Sequence, residues 1–375
     1  MLNFLYFIFV FVFAILTLIY MAMPDLVQNT IPFGIRIPPE YIHNPYIREM
    51  KKIFRKWVVL VGITSIIVYT LMSITINNSD TIAIFNVTLF SVIFFFFIIY
   101  YIIHKKIGKR KVEEGWYSNK PTYTYASLDM DRDSELKIWV VLLPFIIIFV
   151  TIIIGIWRYP SLPANFPVHY AINGTPNGWM SKTPFNVFLI VVIAFLVNVF
   201  IDLLMYATVI YSKRDIDPAH PYVSQKQQIK FTNIMFEYLQ IMLVFVNVSF
   251  MFSAFQIWGL IGSDQLSVVF ITIPVFIGVV ILVAATYKTG QSGAKIVIND
   301  TGKDTKNGHL HIDDDMFWIG GFIYYNKEDP SIFVGKRFGV GWTLNFGNPK
   351  AWVIIFLIIL FIIATTLMII FHRNI

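Results

Sequence analysis

The sequence predicts an all-α integral membrane protein with about eight transmembrane helices and one small β-rich element in a cytoplasmic loop. Its 375 residues are 57% hydrophobic and only 14% charged, whereas soluble domains carry about 25% charged residues. Eight apolar runs approach the roughly 20 residues that cross the hydrocarbon layer. Successive loops are alternately rich and poor in lysine and arginine, which is typical of a multi-pass topology.

The eight runs divide the chain into alternating spans and loops. No basic residue precedes the first run and no small-residue cleavage pattern follows it, so we expect a retained helix rather than a signal peptide. The predicted spans are Leu2–Met21, Trp57–Ile76, Ile82–Ile103, Ile138–Trp157, Val187–Ile210, Met235–Trp258, Val268–Tyr287 and Ala351–Phe371.

The basic residues predict the orientation of the spans. Of 29 lysines and arginines, 26 lie in or beside the loops that follow spans one, three, five and seven. Because cytoplasmic loops collect these residues, the N-terminus, the C-terminus and the loop between spans four and five should lie outside. The net charge of +7 then favours the anionic inner leaflet. We therefore expect membrane lipids as partners and no nucleic acid.

Shifts in composition divide the chain into five predicted segments. Residues 1–137 form an N-terminal three-helix membrane segment with basic inner loops, and residues 138–210 form a helix pair around an outer loop. The remaining segments are a second helix pair (211–287), a cytoplasmic tether with a β-rich element (288–350) and the last helix (351–375). In the fourth segment, Thr289–Gly308 has the composition of a flexible tether. Met316–Tyr325 and Ser331–Phe346 have the aromatic, glycine-punctuated pattern of short strands.

A basic amphipathic helix is predicted between the first two spans. Asn44 suits the N-cap position and Pro45 the first helical position. Apolar and basic residues then follow at helical spacing as far as Lys56. This pattern indicates a helix that lies on the inner leaflet and continues into the second span.

The outer loop Trp157–Phe185 contains the main candidate ligand site. Its five prolines exclude a helix, and the Asn-Gly pairs at 173–174 and 177–178 favour turns. Histidine is the side chain whose charge changes near physiological pH, so His169 is a candidate sensor, with a structural role as the alternative. Trp179 is either a contact residue or an anchor in the aromatic belt. The loop has no acidic residue, which favours an anionic or carbonyl-rich partner. The candidate ligand-binding residues are His169, Asn173, Gly174, Trp179 and Lys182.

Polar side chains form two stripes inside the fifth and sixth spans. One interpretation is hydrogen bonding that holds the two helices together. The other is a polar pathway or ligand pocket, because ionisable groups inside a membrane usually face protein or a water-filled cavity. The stripes consist of Asn198, Asp202, Tyr206, Glu237, Gln240 and Asn247.

Motifs of catalysis are missing from the sequence. There is no H-E-x-x-H, G-x-S-x-G or G-x-x-x-x-G-K-[ST] pattern, so we predict no enzymatic activity and no cofactor. His309, His311 and Asp313–Asp315 are residue types that bind divalent metals. A polar approach to a strand has the same composition, and we predict no metal site.

Three segments resemble uncharacterised bacterial membrane domains. The first is Pro163-Ala-Asn-Phe-Pro-Val-His-Tyr-Ala-Ile-Asn-Gly-Thr-Pro-Asn-Gly-Trp179. It resembles a domain of unknown function that forms the N-terminal part of immunity proteins of the sporulation-delaying-protein type. Asn177 stands where that domain usually has Asp. The second is Pro32-Phe-Gly-Ile-Arg-Ile-Pro38, which resembles a segment after the first helix of long relatives. The third resembles a second uncharacterised domain of those relatives. It consists of Asp313–Asp315, Tyr324-Tyr-Asn326, Asp329-Pro330 and Lys336-Arg-Phe-Gly-Val-Gly-Trp-Thr-Leu-Asn345.

The resemblance implies a location and a function. The resemblance to the immunity proteins implies that this chain protects the cell against a secreted toxic peptide. It also implies that the chain captures a soluble repressor when that peptide is present. We therefore expect an immunity-like or sensory protein of the bacterial cell membrane. It would bind an extracellular peptide or envelope component outside and a soluble regulator inside. A shared domain does not fix a function, and the alternative is a transporter or flippase that uses the polar stripes.

Overall fold

Eight long helices make up most of the computed structural model, which describes residues 4–75, 81–117, 137–170, 174–213, 216–217, 220–299 and 313–373. Within these residues, the eight helices are long and apolar enough to cross a membrane, which confirms the predicted fold class. The helices are α1 (Phe4–Leu26), α2 (Pro45–Thr75), α3 (Thr81–Glu113), α4 (Ile138–Arg158), α5 (Pro184–Tyr211), α6 (Pro221–Ile257), α7 (Gln265–Thr289) and α8 (Pro349–Arg373).

Some helices extend beyond the apolar runs. α2 begins at Pro45, so the basic amphipathic segment and the second span form one continuous helix. The Asn44 side chain caps it, because its Oδ1 accepts a hydrogen bond from the Tyr46 backbone N–H at 2.8 Å. α6 begins at Pro221 and has 37 residues, about 55 Å at the helical rise. It is therefore longer than the hydrocarbon layer is thick.

The chain forms two compact units, and each is assembled from separated segments. The first comprises Met1–Arg132, Ser212–Phe231 and Thr286–Asn348, and the second comprises Asp133–Tyr211, Thr232–Ala285 and Pro349–Ile375. The five-segment division remains a prediction.

The link between α1 and α2 is a core element of the first unit. Residues 31–38 are all buried. The Tyr100 hydroxyl, on α3, donates a hydrogen bond to the Phe33 carbonyl oxygen at 3.0 Å. His104 Nδ1 lies 2.8 Å from the same oxygen. Phe33 has a positive φ of 50°, which is a genuine outlier for a bulky residue. The surrounding core holds it in place.

The segment after residue 313 contains two small hairpins. β3 (Trp318–Ile319) pairs antiparallel with β4 (Ile323–Tyr324), and β5 (Phe333–Gly335) pairs with β6 (Trp342–Leu344). The expected β-rich element is therefore present. Each predicted strand region is a hairpin rather than one strand, because glycines with positive φ lie between the paired strands. Glycine adopts that conformation without steric strain.

Asn345 ties the two hairpins together. It is fully buried, and its Nδ2 donates to the backbone carbonyls of Asn326, Asp329 and Ser331 at 2.9, 3.0 and 3.2 Å. Its Oδ1 accepts from the backbone N–H of Asn326 at 3.0 Å. One side chain therefore satisfies several buried backbone groups that such short strands leave unpaired.

In the second unit, the outer loop is a β-hairpin. β1 (Asn165–Tyr170) pairs antiparallel with β2 (Pro176–Ser181). The turn predicted at 177–178 is wrong, because Gly178 lies within β2 opposite His169. A single reversal closes the hairpin, so this second Asn-Gly pair is extended. Gly174 has the expected positive φ, at +82°.

Contacts within each unit join loops that are far apart in the sequence. In the first unit, Arg36 (between α1 and α2) and Lys111 (near the end of α3) both contact Asp313–Asp315. In the second unit, the hairpin contacts Gln256 near the end of α6 and Ser263 in the following turn. The alternation of the loops across the membrane remains a prediction. Which side faces the cell exterior remains a prediction.

Candidate functional site

The outer hairpin is anchored to the helices of the second unit. On its inner face Phe166 is fully buried and Met180 is 5% exposed. Lys182 Nζ donates to the carbonyl oxygens of Pro160 and Leu162 at 3.1 and 2.9 Å. The predicted ligand residue Lys182 is therefore engaged in holding the base of the hairpin.

The tip of the hairpin is fixed as well. The Ser263 hydroxyl donates to the Gly174 carbonyl oxygen at 2.8 Å, and a Cβ at Gly174 would collide with the Ser263 carbonyl oxygen. The Tyr170 hydroxyl donates to the Gln256 carbonyl oxygen at 3.2 Å. Gly174 therefore allows its backbone to approach the Ser263 backbone closely. The predicted ligand residue Asn173 lies outside the described residues.

The outer face of the hairpin presents an aromatic side chain and a hydrogen-bonded pair. Trp179 is 52% exposed. Nearby, the exposed His169 and Asn177 are joined through Nδ1 and Oδ1. With Nδ1–H donating to the amide oxygen, Nε2 is the imidazole nitrogen that a ligand would use. Of the five residues predicted to bind a ligand, His169 and Trp179 lie exposed on this face.

A reciprocal asparagine pair joins α5 to α6. Asn198 Nδ2 donates to Asn247 Oδ1 at 2.8 Å, and Asn247 Nδ2 donates back to Asn198 Oδ1 at 3.0 Å. Asn247 also donates to the Pro144 carbonyl oxygen of α4 at 3.3 Å. Both side chains are almost completely buried. The geometry here is that of interhelical hydrogen bonding, the first of the two interpretations of the stripes.

The other stripe residues are spread over different environments. Gln240 is fully buried, and its Nε2 donates to Asp202 Oδ1 at 2.7 Å. Glu237 Oε1 lies 2.9 Å from Lys137 Nζ at the start of α4. Tyr206 is 59% exposed and lies outside these contacts. The structure therefore brings four of the six residues into two hydrogen-bonded pairs.

A second candidate site is a network of ion pairs in the first unit. Arg36 Nε lies 2.6 Å from Asp314 Oδ1. Lys111 Nζ lies 2.7 Å from Asp313 Oδ1 and 2.6 Å from Asp315 Oδ2. The two cationic side chains are only about one tenth exposed. The aspartates therefore fix the segment after residue 313 onto the link after α1 and onto the end of α3.

Arg337 completes this network from the β5–β6 hairpin. Its guanidinium pairs with Asp314 through Nη2 and with Asp315 through Nη1, and Nη1 also donates to the Gly34 carbonyl oxygen at 3.0 Å. The side chain is 2% exposed. Three aspartates thus face three cations, so the buried charges compensate one another.

The charge of Asp314 is maintained by its neighbours. Burial alone raises the pKa of this carboxyl group, but Arg36 and Arg337 outweigh burial and hold the pKa at about 2. Because an unfolded aspartate titrates near pH 3.9, the ionised group stabilises the folded state at neutral pH. That contribution is lost only as the pH falls from about 4 towards 2.

The metal alternative rested partly on residues outside the described part of the chain, since His309 and His311 fall there. Asp313 bonds to Lys111 instead. Within the described residues, no cluster of three or more His, Cys, Asp and Glu side chains is arranged to hold a metal ion.

A further ion pair lies beside the network. Lys213 Nζ is 2.9 Å from Asp329 Oδ2, which also accepts a hydrogen bond from the Tyr324 hydroxyl at 2.8 Å. Burial by itself lowers the pKa of Lys213, but the Asp329 carboxylate outweighs it and raises the pKa. Burial by itself raises the pKa of Asp329, but the hydrogen bond and charge of Lys213 outweigh burial, so the pKa of Asp329 is lowered. Both groups are therefore ionised at neutral pH.

Sequence reasoning missed the roles of Lys111 and Arg337. A run of three acids in a basic loop was the available signal, because such a run is expected to pair with cations of neighbouring loops. Lys111 lies more than 200 positions from the aspartates it meets, whereas Arg337 lies 22 positions from Asp315 and 23 from Asp314.

Family models match two parts of the chain. Residues 137–195 match a domain of unknown function (DUF1648), and residues 327–352 match a family of unknown function (DUF5808). The first match covers α4, the outer hairpin and the start of α5, and the second includes Arg337 and Asn345. The chain is thus similar to two uncharacterised families, the first of which is membrane-associated. No curated protein and no solved structure matches the chain significantly.

Proposed function

We propose that this chain is an immunity-like or sensory protein of the bacterial cell membrane, and that its outer hairpin binds an extracellular peptide or envelope component. The main support is that Trp179 remains 52% exposed on a strand whose neighbours are buried and hydrogen-bonded. A rigid, exposed aromatic residue contributes contact area with little loss of conformational entropy on binding.

The chemistry of the hairpin suits a peptide ligand. Trp179 offers an aromatic surface, while His169 and Asn177 offer polar groups that pair with backbone amides and carbonyls. The stretch from Arg158 to Phe185 has no acidic residue, so carbonyl-rich or anionic groups are favoured electrostatically.

In this proposal, contacts within the second unit carry the signal from the hairpin along α5 and α6. Asn186, in the first turn of α5, donates through Nδ2 to the Ser181 carbonyl oxygen of β2 at 2.9 Å. Farther along, the Asn198–Asn247 pair joins α5 to α6. In this proposal, a displacement of β2 moves α5 and its partner helix together. The signal reaches the basic cytoplasmic loops, where a soluble regulator would bind.

We expect hairpin variants to lose protection against the peptide ligand. A strain that lacks the gene would be complemented with the wild type, Trp179→Ala or His169→Ala, and growth would be measured against a panel of secreted antimicrobial peptides. Both variants should behave like the deletion strain if these side chains contact the ligand.

Trp157→Ala is the matched control for this experiment. Trp157 is 71% exposed at the end of α4, so its loss tests anchoring in the aromatic belt without changing the hairpin face. Protection should persist in this variant. If the deletion strain shows unchanged sensitivity and unchanged transcription, the proposed function is wrong.

Transport is a second candidate because of one feature of α6. The Gln240 amide donates to Asp202, but its Oε1 is buried and has no hydrogen-bond donor among the described residues. Acidic residues inside a membrane commonly mark a substrate or ion pathway, and this unsatisfied acceptor belongs to the side chain that bonds to Asp202. Flux assays in liposomes with the variant Asp202→Asn/Glu237→Gln would separate the two functions, because only a transporter loses substrate-dependent flux.

A further inference from the structure

Two cavities of the first unit meet at the same pair of cations. The smaller has a volume of about 30 Å³, and its lining includes Arg36, Asp314, Trp318, Lys336 and Arg337. A buried water needs roughly 10–15 Å³, so this cavity holds about two waters or the oxygens of one small anionic group.

The larger cavity is mainly apolar. It has a volume of about 280 Å³, and its lining includes Tyr20, Met23, Phe97 and Phe338 together with Lys336 and Arg337. Tyr20 and Met23 lie on α1 and Phe97 lies on α3, so two predicted membrane spans form part of its wall. Phe97 is 45% exposed, which leaves this wall open towards the surface that faces lipid.

The smaller cavity offers hydrogen-bond donors that no described protein atom uses. Arg337 Nε and Trp318 Nε1 are both buried without a partner in the described part of the chain. The two residues are 3% and 9% exposed, and Arg337 Cζ lies 4.9 Å from the centre of the Trp318 ring. Buried donors are nearly always paired in folded proteins, so two unpaired N–H groups on residues that line one cavity indicate an acceptor ligand.

Lys336 adds a positive charge that the described carboxylates do not neutralise. Asp314 is shared by Arg36 and Arg337, and Asp329 pairs with Lys213. The Lys336 side chain is exposed; desolvation by the protein around it nevertheless lowers its pKa, and no neighbouring charge offsets this effect. A ligand with a negative charge would therefore be favoured at this position.

We propose that the two cavities together bind an anionic phospholipid. Its phosphate accepts hydrogen bonds from Trp318 Nε1, Arg337 Nε and the Lys336 ammonium, and an acyl chain lies along the larger cavity. A phosphodiester has only acceptor oxygens, which complements a cavity whose unused groups are all donors. A free phosphate would fill only the polar cavity, whereas a lipid also covers the apolar walls on α1 and α3.

The proposal is tested with the full-length protein in nanodiscs of phosphatidylcholine alone or mixed equally with phosphatidylglycerol. Native mass spectrometry counts the phosphatidylglycerol molecules retained after release into detergent. The wild type should retain phosphatidylglycerol at least about tenfold better than phosphatidylcholine. Lys336→Gln and Trp318→Phe should each lower this retention about three- to tenfold.

Lys327→Gln is the matched control, because Lys327 lies exposed on the same element and lines neither cavity. Its retention of phosphatidylglycerol should equal that of the wild type. Met23→Trp should fill the apolar cavity and lower retention while Lys336 is intact. Size-exclusion profiles identify any variant that is misfolded. Lys336→Gln changes an exposed side chain that makes no ion pair with a described residue.

Three results would overturn the proposal. Equal retention of the two lipids would show that the cavity holds water only. Equal losses in Lys336→Gln and Lys327→Gln would indicate general surface charge. Displacement of phosphatidylglycerol by millimolar inorganic phosphate, with no effect of Met23→Trp, would assign the polar cavity to a soluble phosphate instead.

Discussion

Replacing Asp314 with asparagine should destabilise the first unit by about 3 kcal/mol, the lower end of the cost of removing one partner from a buried ion pair. Arg36 and Arg337 both depend on this carboxylate, and their side chains are 10% and 2% exposed. Without Asp314 their charges are poorly compensated in a site that water barely reaches. The loss is measured as a lower thermal unfolding midpoint of the purified protein.

Limited proteolysis shows whether the effect is local. If the aspartates fix the segment after residue 313, Asp314→Asn should expose that segment to protease while the outer hairpin remains protected. Glu328→Gln is the matched control, because it removes one negative charge from an exposed residue of the same element. Equal stability and equal protease resistance in the two variants would contradict a structural role for the network.

Replacing Gly34 with alanine should destabilise the first unit by about 1.5–3.5 kcal/mol, the sum of a conformational cost and a lost hydrogen bond. Gly34 has a φ of +78°, and an added Cβ would collide with the Tyr100 hydroxyl and lie 3.0 Å from Gly321 Cα. The left-handed conformation alone costs an alanine about 1–2 kcal/mol. Displacing the Tyr100 hydroxyl from the Phe33 carbonyl oxygen adds the loss of a buried hydrogen bond, about 0.5–1.5 kcal/mol.

Two other glycines separate these contributions. Gly341 has a φ of +100° with no atom within 4 Å of an added Cβ, so Gly341→Ala reports the conformational cost alone. Gly108 lies in α3, and an added Cβ there meets only Ile35 Cδ1 at 3.4 Å. Gly108→Ala should therefore be neutral or stabilising. If Gly34→Ala is as well tolerated as Gly341→Ala, the close approach to Tyr100 has no energetic importance.

The number and rough limits of the helices could be predicted because the bilayer makes hydrophobicity and length decisive. The start of α2 was predictable as well, because an asparagine cap followed by proline is a local signal. Buried contacts of the link at 31–38 were not predictable. Its prolines indicate an extended, turned segment, but they do not indicate that α3 supplies Tyr100 and His104 to its carbonyl oxygen.

The hairpin shows a different limit of sequence reasoning. Two Asn-Gly pairs carry equal local turn signals, yet only Gly174 has a positive φ. Pairing of β1 with β2 decides between them, and Gly178 lies opposite His169. The contact between His169 and Asn177 depends on the same pairing. Sequence analysis therefore identified His169 and Trp179 as candidates but assigned Lys182 to the ligand rather than to the base of the hairpin.

The ion network could not be predicted either, because several of its ion pairs join residues that are far apart in the sequence. Its basic and acidic residues come from the three-helix part of the chain and from the segment after residue 313. Each residue alone has the appearance of a solvated surface charge. Only the buried position of Arg337, at 2% side-chain exposure, shows that the aspartates have a structural role.

The most direct test of the proposed extracellular ligand site is to measure on which side of the membrane the hairpin lies. The chain contains no cysteine, so single cysteines at the exposed positions Thr175 and Lys327 can be labelled without background. A membrane-impermeant maleimide should label Thr175→Cys on intact cells and Lys327→Cys only after permeabilisation. The opposite pattern would place the hairpin in the cytoplasm and would contradict a receptor for extracellular ligands.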